Sequence, residues 1–211
     1  MTRMIRELVI ATGNPHKVDE IRAVLGELGI WVVSLVDIGA GDLPEPQEDG
    51  STFAENARIK ARQYARATNR MVLADDSGLA VEALDGAPGV HSARWAGVGT
   101  TRHERDGANN AKLITELAKV PERSRAAKFV CAMCVAAADG SVVAESHGEF
   151  KGEITARPRG GNGFGYDPYF VVDANGRTSA ELSSDEKNAR SHRGAATRAI
   201  ATQLAKRLAL S

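Results

Sequence analysis

The feature that most constrains the fold is an apolar segment that runs without a gap into a helix N-terminus. Residues 8–11 are continuously apolar, and the following residues contain a Gly, an Asn and a Pro before an amphipathic pattern begins. Gly13 permits a tight turn, Asn14 is a suitable N-cap, and Pro15 suits the first helical position because its missing N–H has no partner to lose. A strand that leads directly into a helix is typical of an α/β fold.

Lys17 adds a charge to this junction. It falls in the first turn of the predicted helix, where the helix dipole disfavours a cation. Its position is explained if an anion such as a phosphate lies between the lysine and the free N–H groups of the helix N-terminus. An ordinary turn with a solvated lysine explains the same residues, and this segment alone leaves both interpretations open.

The order of the apolar segments predicts the rest of the fold. Strand patterns occupy residues 6–12, 31–36, 71–75, 126–138, 141–150 and 168–172, and helical patterns occupy residues 15–28, 52–68, 102–119 and 192–209. Strands that alternate with helices favour parallel pairing, whereas two long strands separated by Asp139 and Gly140 favour an antiparallel hairpin. We therefore predict an α/β fold with a mixed sheet flanked by helices, in a single domain over residues 1–211.

The balance of charge and hydropathy excludes several classes of protein. Lys and Arg total 27 and Asp and Glu total 27, so no global positive field is available to bind a nucleic-acid polymer. The apolar runs are shorter than the ~20 residues that a membrane span requires, and the first residues lack the uninterrupted apolar region of a secretory signal. We expect a cytoplasmic protein that binds small anions rather than nucleic acids or membranes.

Cys131 and Cys134 have the spacing of a redox or zinc motif. The sequence contains no second cysteine pair to complete a zinc site, and a strand directs residues three apart to opposite faces. Buried structural thiols are therefore the favoured interpretation.

Two carboxylates and a hydroxyl follow the predicted strand at residues 71–75. Asp76 and Ser77 come directly after Asp75, and Gly78 then predicts a turn. Ligands of α/β proteins bind at strand ends, and only one of two neighbouring carboxylates can face a given cleft. We assign that role to Asp76, with a purely structural role for both aspartates in the turn as the alternative.

Three further carboxylates, Glu45, Glu48 and Asp49, precede the helix that begins near Thr52. Carboxylates at a helix N-terminus are often electrostatic caps. A loop carboxylate that faces Asp76 across bound phosphates would instead supply the oxygen ligands that Mg²⁺ prefers.

The segment at residues 160–168 is rich in glycine and contains two aromatic residues. It does not match the dinucleotide-binding fingerprint. Glycines on both sides of Phe164 would let its ring and nearby backbone N–H groups reach a planar ligand such as a nucleobase. The alternative is a loop in which Phe164 packs into the core.

The segment at residues 181–194 carries a second group of charges. Ser183 and Glu186 have the spacing of a capping box, and Ser191 can begin the last helix, which would place His192 and Arg193 at its N-terminus. Cations at that end of a helix indicate an anion or a carbonyl oxygen opposite them. A solvated surface run is the alternative.

Taken together, these segments resemble one family, the inosine/xanthosine triphosphate pyrophosphatases, also called the noncanonical purine nucleotide pyrophosphatase or Ham1-like family. The matching stretches are ATGNPHK at 11–17, TFAENARIKA at 52–61, LADDSGLAVEALDGAPGVHSARWAG at 73–97, GFGYDP at 163–168 and SSDEKNARSHRG at 183–194. They occur in the family's order and spread over most of the chain. The resemblance implies an elongated mixed sheet with flanking helices, two lobes with a central cleft, and a homodimer.

The same resemblance implies an activity and a set of site residues. The family converts noncanonical purine nucleoside triphosphates (ITP, dITP and XTP) to the monophosphate and pyrophosphate with Mg²⁺. By this resemblance Asp76 is the catalytic base, and Glu48 and Asp76 bind the metal. The implied substrate contacts are Thr12, Gly13, Asn14, Pro15, His16, Lys17, Ser77, Phe164, Gly165, Tyr166, Asp167, Lys187, His192 and Arg193.

These roles lead to a hypothesis for the mechanism. Asp76 would orient or deprotonate a water in line with the α-phosphorus, while Mg²⁺, Lys17 and Lys187 neutralise charge on the leaving pyrophosphate. Donors from His192, Arg193 and loop N–H groups would suit a 6-oxo purine and reject the 6-amino group of adenine. A Maf-like pyrophosphatase that acts on other modified nucleotides, and a nucleotide sensor without catalysis, are the alternatives.

Overall fold

The computed structural model describes residues 7–27, 29–120 and 125–209. Those residues form six strands: β1 Glu7–Ile10, β2 Trp31–Ser34, β3 Val72–Val81, β4 Ala126–Ala136, β5 Val142–Ile154 and β6 Phe170–Val171. They also form five α-helices: α1 Pro15–Gly26, α2 Phe53–Thr68, α3 Arg102–Leu117, α4 Ser184–Arg190 and α5 His192–Ala209. All predicted strands and helices are present, and the capping box predicted at Ser183 begins α4, whose range was not predicted. Arg6 and Leu28, which belong to the first predicted strand and helix, lie outside the described residues.

One sheet contains all six strands, in the order β2-β1-β3-β4-β5-β6. β1 pairs in parallel with β2 and β3, whereas β5 pairs antiparallel with β6. The connection from β4 to β5 is a tight turn in which Gly140 donates to the carbonyl of Ala137 and has a φ of 83°, a conformation that favours glycine. The prediction of an α/β fold with a mixed sheet is confirmed.

The described residues divide into two compact units. The first unit comprises the chain up to Asp76, the segment Cys131–Gly148 and the segment from His192 onward. The second comprises the described parts of Ser77–Val130 and Glu149–Ser191. The single domain over the whole chain stays a prediction. None of the helices in the described residues is long and apolar enough to cross a membrane.

Helices cover both faces of the sheet in the first unit. On one face, side chains of β1, β3 and β4 pack against α1 and α5 in a cluster that includes Leu8, Ile21, Leu73, Met133 and Leu204. On the other face they pack against α2, which contributes Ala57, Ala61, Tyr64 and Ala65. Because side chains alternate along a strand, successive residues of β3 and β4 face different helices.

This alternation separates the two cysteines. Cys131 belongs to the cluster with α1 and α5, and Cys134 belongs to the cluster with α2. Both thiols are free and buried, and burial raises the pKa of each to about 12. The prediction of buried structural thiols on opposite faces is confirmed.

The predicted end of the third strand and the turn at Gly78 are wrong. β3 continues through Asp76, Ser77 and Gly78 to Val81. A Cβ on Gly78 would lie 2.3 Å from Ser92 Oγ and 2.7 Å from the carbonyl oxygen of Gly89. The glycine is therefore required for close approach of a neighbouring segment, and a glycine in a strand can mark such an approach as well as a turn.

The core of the second unit is built around Phe170. Its ring makes edge contacts with Phe129 and Phe150, at centroid distances of 4.6 and 5.6 Å. Leu113 and Leu117 of α3 belong to the same cluster. These contacts fix α3 in the unit that also contains the glycine-rich loop.

The predicted helix starts at Thr52 and Ser183 are confirmed. Thr52 Oγ1 accepts from Glu55 N–H while Glu55 accepts from Thr52 N–H, and Ser183 and Glu186 make the same reciprocal pair. The last helix begins at His192, directly after Ser191, as predicted. Each cap satisfies N–H groups that a helix N-terminus otherwise leaves without partners.

Candidate active site

The loop between β1 and α1 is held by its own hydrogen bonds. Asn14 has extended backbone geometry, and its Oδ1 accepts from His16 N–H at 3.1 Å, as an N-cap does. Asn14 N–H donates to Thr12 Oγ1 at 3.2 Å. The Nδ2 atom of Asn14 is buried and has no hydrogen-bond partner within the described parts of the chain. Gly13, Pro15 and His16 are exposed. A donor with no partner therefore lies at the N-terminus of α1, beside exposed backbone.

Lys17 has an anionic partner inside the protein. Its Nζ lies 2.9 Å from Asp75 Oδ2. The ion pair accounts for a cation in the first turn of α1, a position that the helix dipole alone disfavours. An ammonium has three N–H groups, and the Lys17 side chain is 15% exposed, so donors remain for a second anion.

Asp75 is the centre of a buried ion cluster. Arg193 Nε and Nη2 each lie 3.5 Å from Asp75 Oδ2, and Arg193 Nη1 donates to Glu20. Burial alone would raise the pKa of Asp75, but Lys17 and Arg193 outweigh it and hold that pKa well below its usual range. Asp75 is therefore a permanent anion that neutralises two cations.

The start of α5 lies against β5 at Gly148. A Cβ on Gly148 would lie 2.1 Å from the carbonyl oxygen of His192. His192 and Arg193 are both buried, at 6% and 2% exposure. The structure thus places the Arg193 guanidinium in ion pairs of the first unit, beside Asp75. Its contact with a base, like that of His192, stays a prediction.

Asp76 faces the opposite side of the sheet and meets α2. Lys60 Nζ lies 3.3 Å from Asp76 Oδ1 and 3.0 Å from Glu48 Oε1. Asn56 Nδ2 donates to Asp76 Oδ2 at 3.1 Å. Burial, the largest cause, and the nearby Glu48 raise the pKa of Asp76 above its usual value, despite the opposing effect of Lys60. A carboxylate with a raised pKa is a stronger proton acceptor, as a general base requires.

The two predicted metal ligands already share a cation, the Lys60 ammonium. No group of three or more His, Cys, Asp or Glu side chains in the described residues has the arrangement of a metal site. Glu45 and Asp49 are both exposed, and Glu45 Oε1 lies 3.7 Å from the position of a Cβ on Gly13. Two carboxylates are the number that Mg²⁺ commonly takes from a protein when phosphate oxygens and waters complete its shell. Glu48 and Asp76 therefore fit such an ion.

The second unit brings together the glycine-rich loop and α4. Lys187 Nζ lies 2.7 Å from Asp167 Oδ2, which also accepts from Phe164 N–H at 2.9 Å. The Phe164 ring lies under Lys187 Nζ at 5.1 Å and under the Arg102 guanidinium at 4.7 Å. Phe164 is half-buried and is not part of the core cluster. Lys187 is thus grouped with this loop of the second unit.

Tyr166 and Ser77 differ in burial, and their predicted contacts with a substrate stay predictions. Tyr166 is 4% exposed, packs in the core of the second unit, and donates from its hydroxyl to the Ser92 carbonyl at 2.9 Å. Ser77 is half-buried in β3, next to Asp76.

Sequence reasoning missed several side chains that contact the predicted site residues, and four of them form two pairs. Asn56 and Lys60 of α2 contact Asp76, and Asp106 and Asn110 of α3 contact Gly165. Asp106 Oδ2 accepts from Gly165 N–H at 3.1 Å, and Asn110 Nδ2 donates to Gly165 O at 3.0 Å. Each pair has a spacing of four residues, which places both members on one helix face. That spacing was the available signal.

Comparisons with known proteins place these residues in context. The family model described as Ham1 family matches residues 8–203. A relative from Frankia alni named dITP/XTP pyrophosphatase is 50% identical over 198 residues, 93% of this chain and 96% of its own. A relative of the same name from an Exiguobacterium species is 48% identical, over 94% and 96% of the two chains. A solved HAM1 protein from Coxiella burnetii has a TM-score of 0.83 at 40% identity and covers 95% of this chain and 98% of its own.

Proposed function

The chain belongs to the Ham1 family, and we propose that it hydrolyses noncanonical purine nucleoside triphosphates to the monophosphate and pyrophosphate. The substrates would be ITP, dITP and XTP, in agreement with the names of its relatives. The observation that carries the proposal is the geometry of the first unit. Asp76 and Glu48 both contact the Lys60 ammonium, and the Nδ2 atom of Asn14 is a buried donor that no group in the described residues accepts from, at the N-terminus of α1.

The loop from β1 to α1 binds the triphosphate in this proposal. The residues are Thr12, Gly13, Asn14, Pro15, His16 and Lys17. Helix N-termini favour phosphate because their free N–H groups and dipole both attract negative charge. The free Asn14 amide donor and the remaining Lys17 N–H groups add to that attraction.

Glu48 and Asp76 bind Mg²⁺ in this proposal. When bound, the ion neutralises charge on phosphate oxygens and holds the triphosphate in register with the attacking water. The Lys60 ammonium now between the two carboxylates would move toward the phosphates, since its side chain is 12% exposed and reaches both acids. The single charge of Lys60 does not neutralise both carboxylates, so a divalent cation would offset their repulsion of a triphosphate.

Asp76 is the general base of the proposed reaction. It accepts a proton from a water whose oxygen forms a bond to the α-phosphorus, while the bond from that phosphorus to the bridging oxygen breaks. Pyrophosphate leaves with the electron pair of the broken bond, and Lys17 stabilises the charge that develops on it. Asp75 keeps Lys17 in position and stays ionised.

The loop of the second unit binds the base in this proposal. Phe164 stacks on the purine, and the backbone N–H group of Tyr166 donates toward a 6-oxo oxygen. Lys187 and Asp167 hold the loop in place through their 2.7 Å contact. A 6-oxo purine accepts such hydrogen bonds. The 6-amino group of adenine is itself a donor, so in adenine two donors would face each other without an acceptor. The proposed role of His192, Arg193 and Ser77 as further substrate contacts follows the resemblance.

A substrate panel tests the proposed function. Phosphate and pyrophosphate are detected separately with ITP, XTP, dGTP and ATP, each with Mg²⁺ and with a chelator. The proposal expects pyrophosphate from ITP and XTP with Mg²⁺, and little product from ATP. Equal turnover of ITP and ATP would contradict the proposed recognition of the 6-oxo purine base. Preference for modified pyrimidine or methylated nucleotides would favour a Maf-like enzyme, and ITP binding without any product would favour a sensor.

We also propose that the chain is a homodimer in the cytoplasm, as the family resemblance implies. Light scattering after size-exclusion chromatography measures the assembly directly. A dimer has twice the chain mass of 22.4 kDa, and a single peak at the mass of one chain would contradict this part.

A further inference from the structure

Asn56 lies at the start of α2 and makes two hydrogen bonds to different parts of the first unit. Its side chain is fully buried. Nδ2 donates to Asp76 Oδ2 at 3.1 Å, and Oδ1 accepts from Gly50 N–H at 2.9 Å. Gly50 offers only a donor there, while an ionised carboxylate offers only acceptors. The two partners therefore fix the orientation of the amide.

The position of Asn56 is set by the cap of α2. Glu55 Oε2 accepts from Ser51 N–H at 2.8 Å and from Thr52 N–H at 3.0 Å, and Thr52 Oγ1 accepts from Glu55 N–H at 3.2 Å. Ala57, the next residue, is fully buried against the sheet. The cap and this packing hold the first turn of α2 from both sides of Asn56. Its amide cannot follow Asp76 if the carboxylate turns.

Lys60 lies one helical turn after Asn56 and meets the other oxygen of the same carboxylate. Lys60 Nζ is 3.3 Å from Asp76 Oδ1, while the Asn56 amide holds Oδ2. The amide is rigid and buried, whereas the lysine is a long chain that also contacts Glu48 at 3.0 Å. Of these two partners on α2, Asn56 alone is fully buried and short, so it is the more rigid restraint on the orientation of the Asp76 carboxylate.

Through Gly50, the Asn56 amide also restrains the loop that contains Glu48. Gly50 is two residues after Glu48, in a segment without helix or strand. A Cβ on Gly50 would lie 2.6 Å from Asn56 Oδ1 and 2.7 Å from Glu55 Cβ, so the loop backbone is packed directly on α2. The bond from Gly50 N–H to Asn56 anchors the loop beside the carboxylate that the same amide holds.

We infer that Asn56 is a positioning residue that sets the distance and orientation of the Glu48 and Asp76 carboxylates for a divalent cation. The inference rests on the proposed role of Asp76, but its first consequences are measurable without substrate. In this inference Asn56 acts through Asp76 and Gly50, the two groups that it contacts, and not through the nucleotide. Residues that orient metal ligands typically contribute about 10-fold to 100-fold to metal affinity or activity.

Hydrogen exchange of the Gly50 amide is the first test, and it uses the unmodified protein. A backbone amide in a loop exchanges quickly unless it is bonded, so the Asn56 bond predicts a protected Gly50 next to unprotected neighbours such as Asp49. In Asn56→Ala the protection is lost. In Asn56→Asp it is retained, since a carboxylate oxygen of the same shape still accepts from Gly50. Free exchange of Gly50 in the parent would overturn the inference.

Binding of Mn²⁺, followed by its spin resonance signal, is the second test. Asn56→Ala is expected to weaken binding by about 10-fold or more. Asn109→Ala is the matched control, because Asn109 is also buried and also makes two hydrogen bonds through its amide, in its case to the backbone of Ala96 and Ser92 in the second unit. Asn109→Ala loses a comparable number of hydrogen bonds. We expect its Mn²⁺ affinity and the protection of its Gly50 amide from exchange to equal those of the parent. Equal Mn²⁺ affinity in Asn56→Ala and the parent would overturn the inference.

Kinetics with ITP complete the experiment. Both Asn56→Ala and Asn56→Asp are expected to lower kcat by about 10-fold to 100-fold with KM within about 3-fold, because positioning of the base is lost while nucleotide contacts remain. Parental kcat in Asn56→Asp would contradict the inference. If the parent itself releases no pyrophosphate from ITP or XTP, the proposed function fails, whereas the exchange and Mn²⁺ results still decide the role of Asn56.

Discussion

Asp75 and Asp76 are consecutive residues of β3 with opposite electrostatic surroundings. Asp75 meets Lys17 and Arg193 on the side of α1 and α5, and its pKa is lowered. Asp76 meets α2 on the other side, and its pKa is raised. The alternation of side chains along a strand produces this division. One carboxylate is suited to hold cations in place and the other to accept a proton.

Replacement of Asp75 by asparagine tests its structural role. Asp75→Asn leaves Lys17 and Arg193 buried without their shared anion, so we expect the free energy of unfolding to fall by about 3 kcal/mol. Glu145→Gln is the control, because it breaks an exposed pair with Arg58 at 2.8 Å that contributes about 0–1 kcal/mol. Denaturant titration measures both. A loss in Asp75→Asn no larger than in the control would contradict the buried cluster.

Glycines 78 and 107 allow a direct test of the close approach at β3. We expect Gly78→Ala to cost about 1–3 kcal/mol, because the new methyl group would overlap Ser92 Oγ and the Gly89 carbonyl. Gly107 lies in α3 with nothing within 4 Å of its Cβ position, so Gly107→Ala should stabilise the helix by about 1 kcal/mol. Thermal unfolding of both variants checks the prediction, and a stable Gly78→Ala protein would support the turn that the sequence suggested.

At the scale of elements, α3 begins with a strong capping box. Thr101 Oγ1 accepts from Glu104 N–H, and Glu104 Oε2 accepts from Thr100 Oγ1 at 2.6 Å and from Thr101 N–H at 2.9 Å. These hydrogen bonds lower the pKa of Glu104 to about 2. The stabilisation belongs to the ionised carboxylate and therefore depends on pH.

The pH dependence of Glu104 has a definite sign. Its pKa in the folded chain lies below the ordinary value of 4.5, so its stabilising contribution is complete above about 4.5 and is lost as the pH falls toward 2. We expect Glu104→Ala to lower the midpoint of thermal unfolding near neutral pH and to converge with the parent near the folded pKa of about 2. Glu116→Ala, on the exposed face of α3, is the control. A constant gap at all pH values would contradict the assignment.

Helix α3 also holds the glycine-rich loop at both polar groups of Gly165. Asp106 accepts a hydrogen bond from the Gly165 N–H, and Asn110 donates one to the Gly165 carbonyl. Loss of either bond removes about 1 kcal/mol of restraint, so Asp106→Ala and Asn110→Ala should each raise KM for ITP about fivefold with kcat less affected. His103→Ala, at an exposed position of α3, is the control. Unchanged KM in both variants would show that the loop needs no support from α3.

How much the sequence predicts depends on the separation of the interacting residues. Thr52 and Glu55 cap α2 at a spacing of three, and strand alternation separates Asp75 from Asp76; both are properties of a short stretch of chain. Lys60 and Arg193 are different, because their aspartate partners are 16 and 118 residues away. No local periodicity specifies such partners. Arg193 was therefore assigned to the base by resemblance, whereas the structure pairs it with Asp75.

For the whole molecule, charge and site composition lead to the same class of ligand. Equal totals of 27 basic and 27 acidic residues give no field for a nucleic-acid polymer. Locally, Lys17, Lys60 and Arg193 meet Asp75, Asp76, Glu20 and Glu48 in the first unit. A mixed cluster of this kind suits a small polyanion that brings a divalent cation with it.

The most direct test of this account is pyrophosphate release from ITP by the parent and by Asp76→Asn, at saturating ITP and Mg²⁺. We expect kcat to fall by about 100-fold or more, as loss of a general base predicts, while ITP still binds to the variant. Turnover by Asp76→Asn within a few-fold of the parent would show that Asp76 is not the base, and with it the proposed chemistry of the first unit would be contradicted.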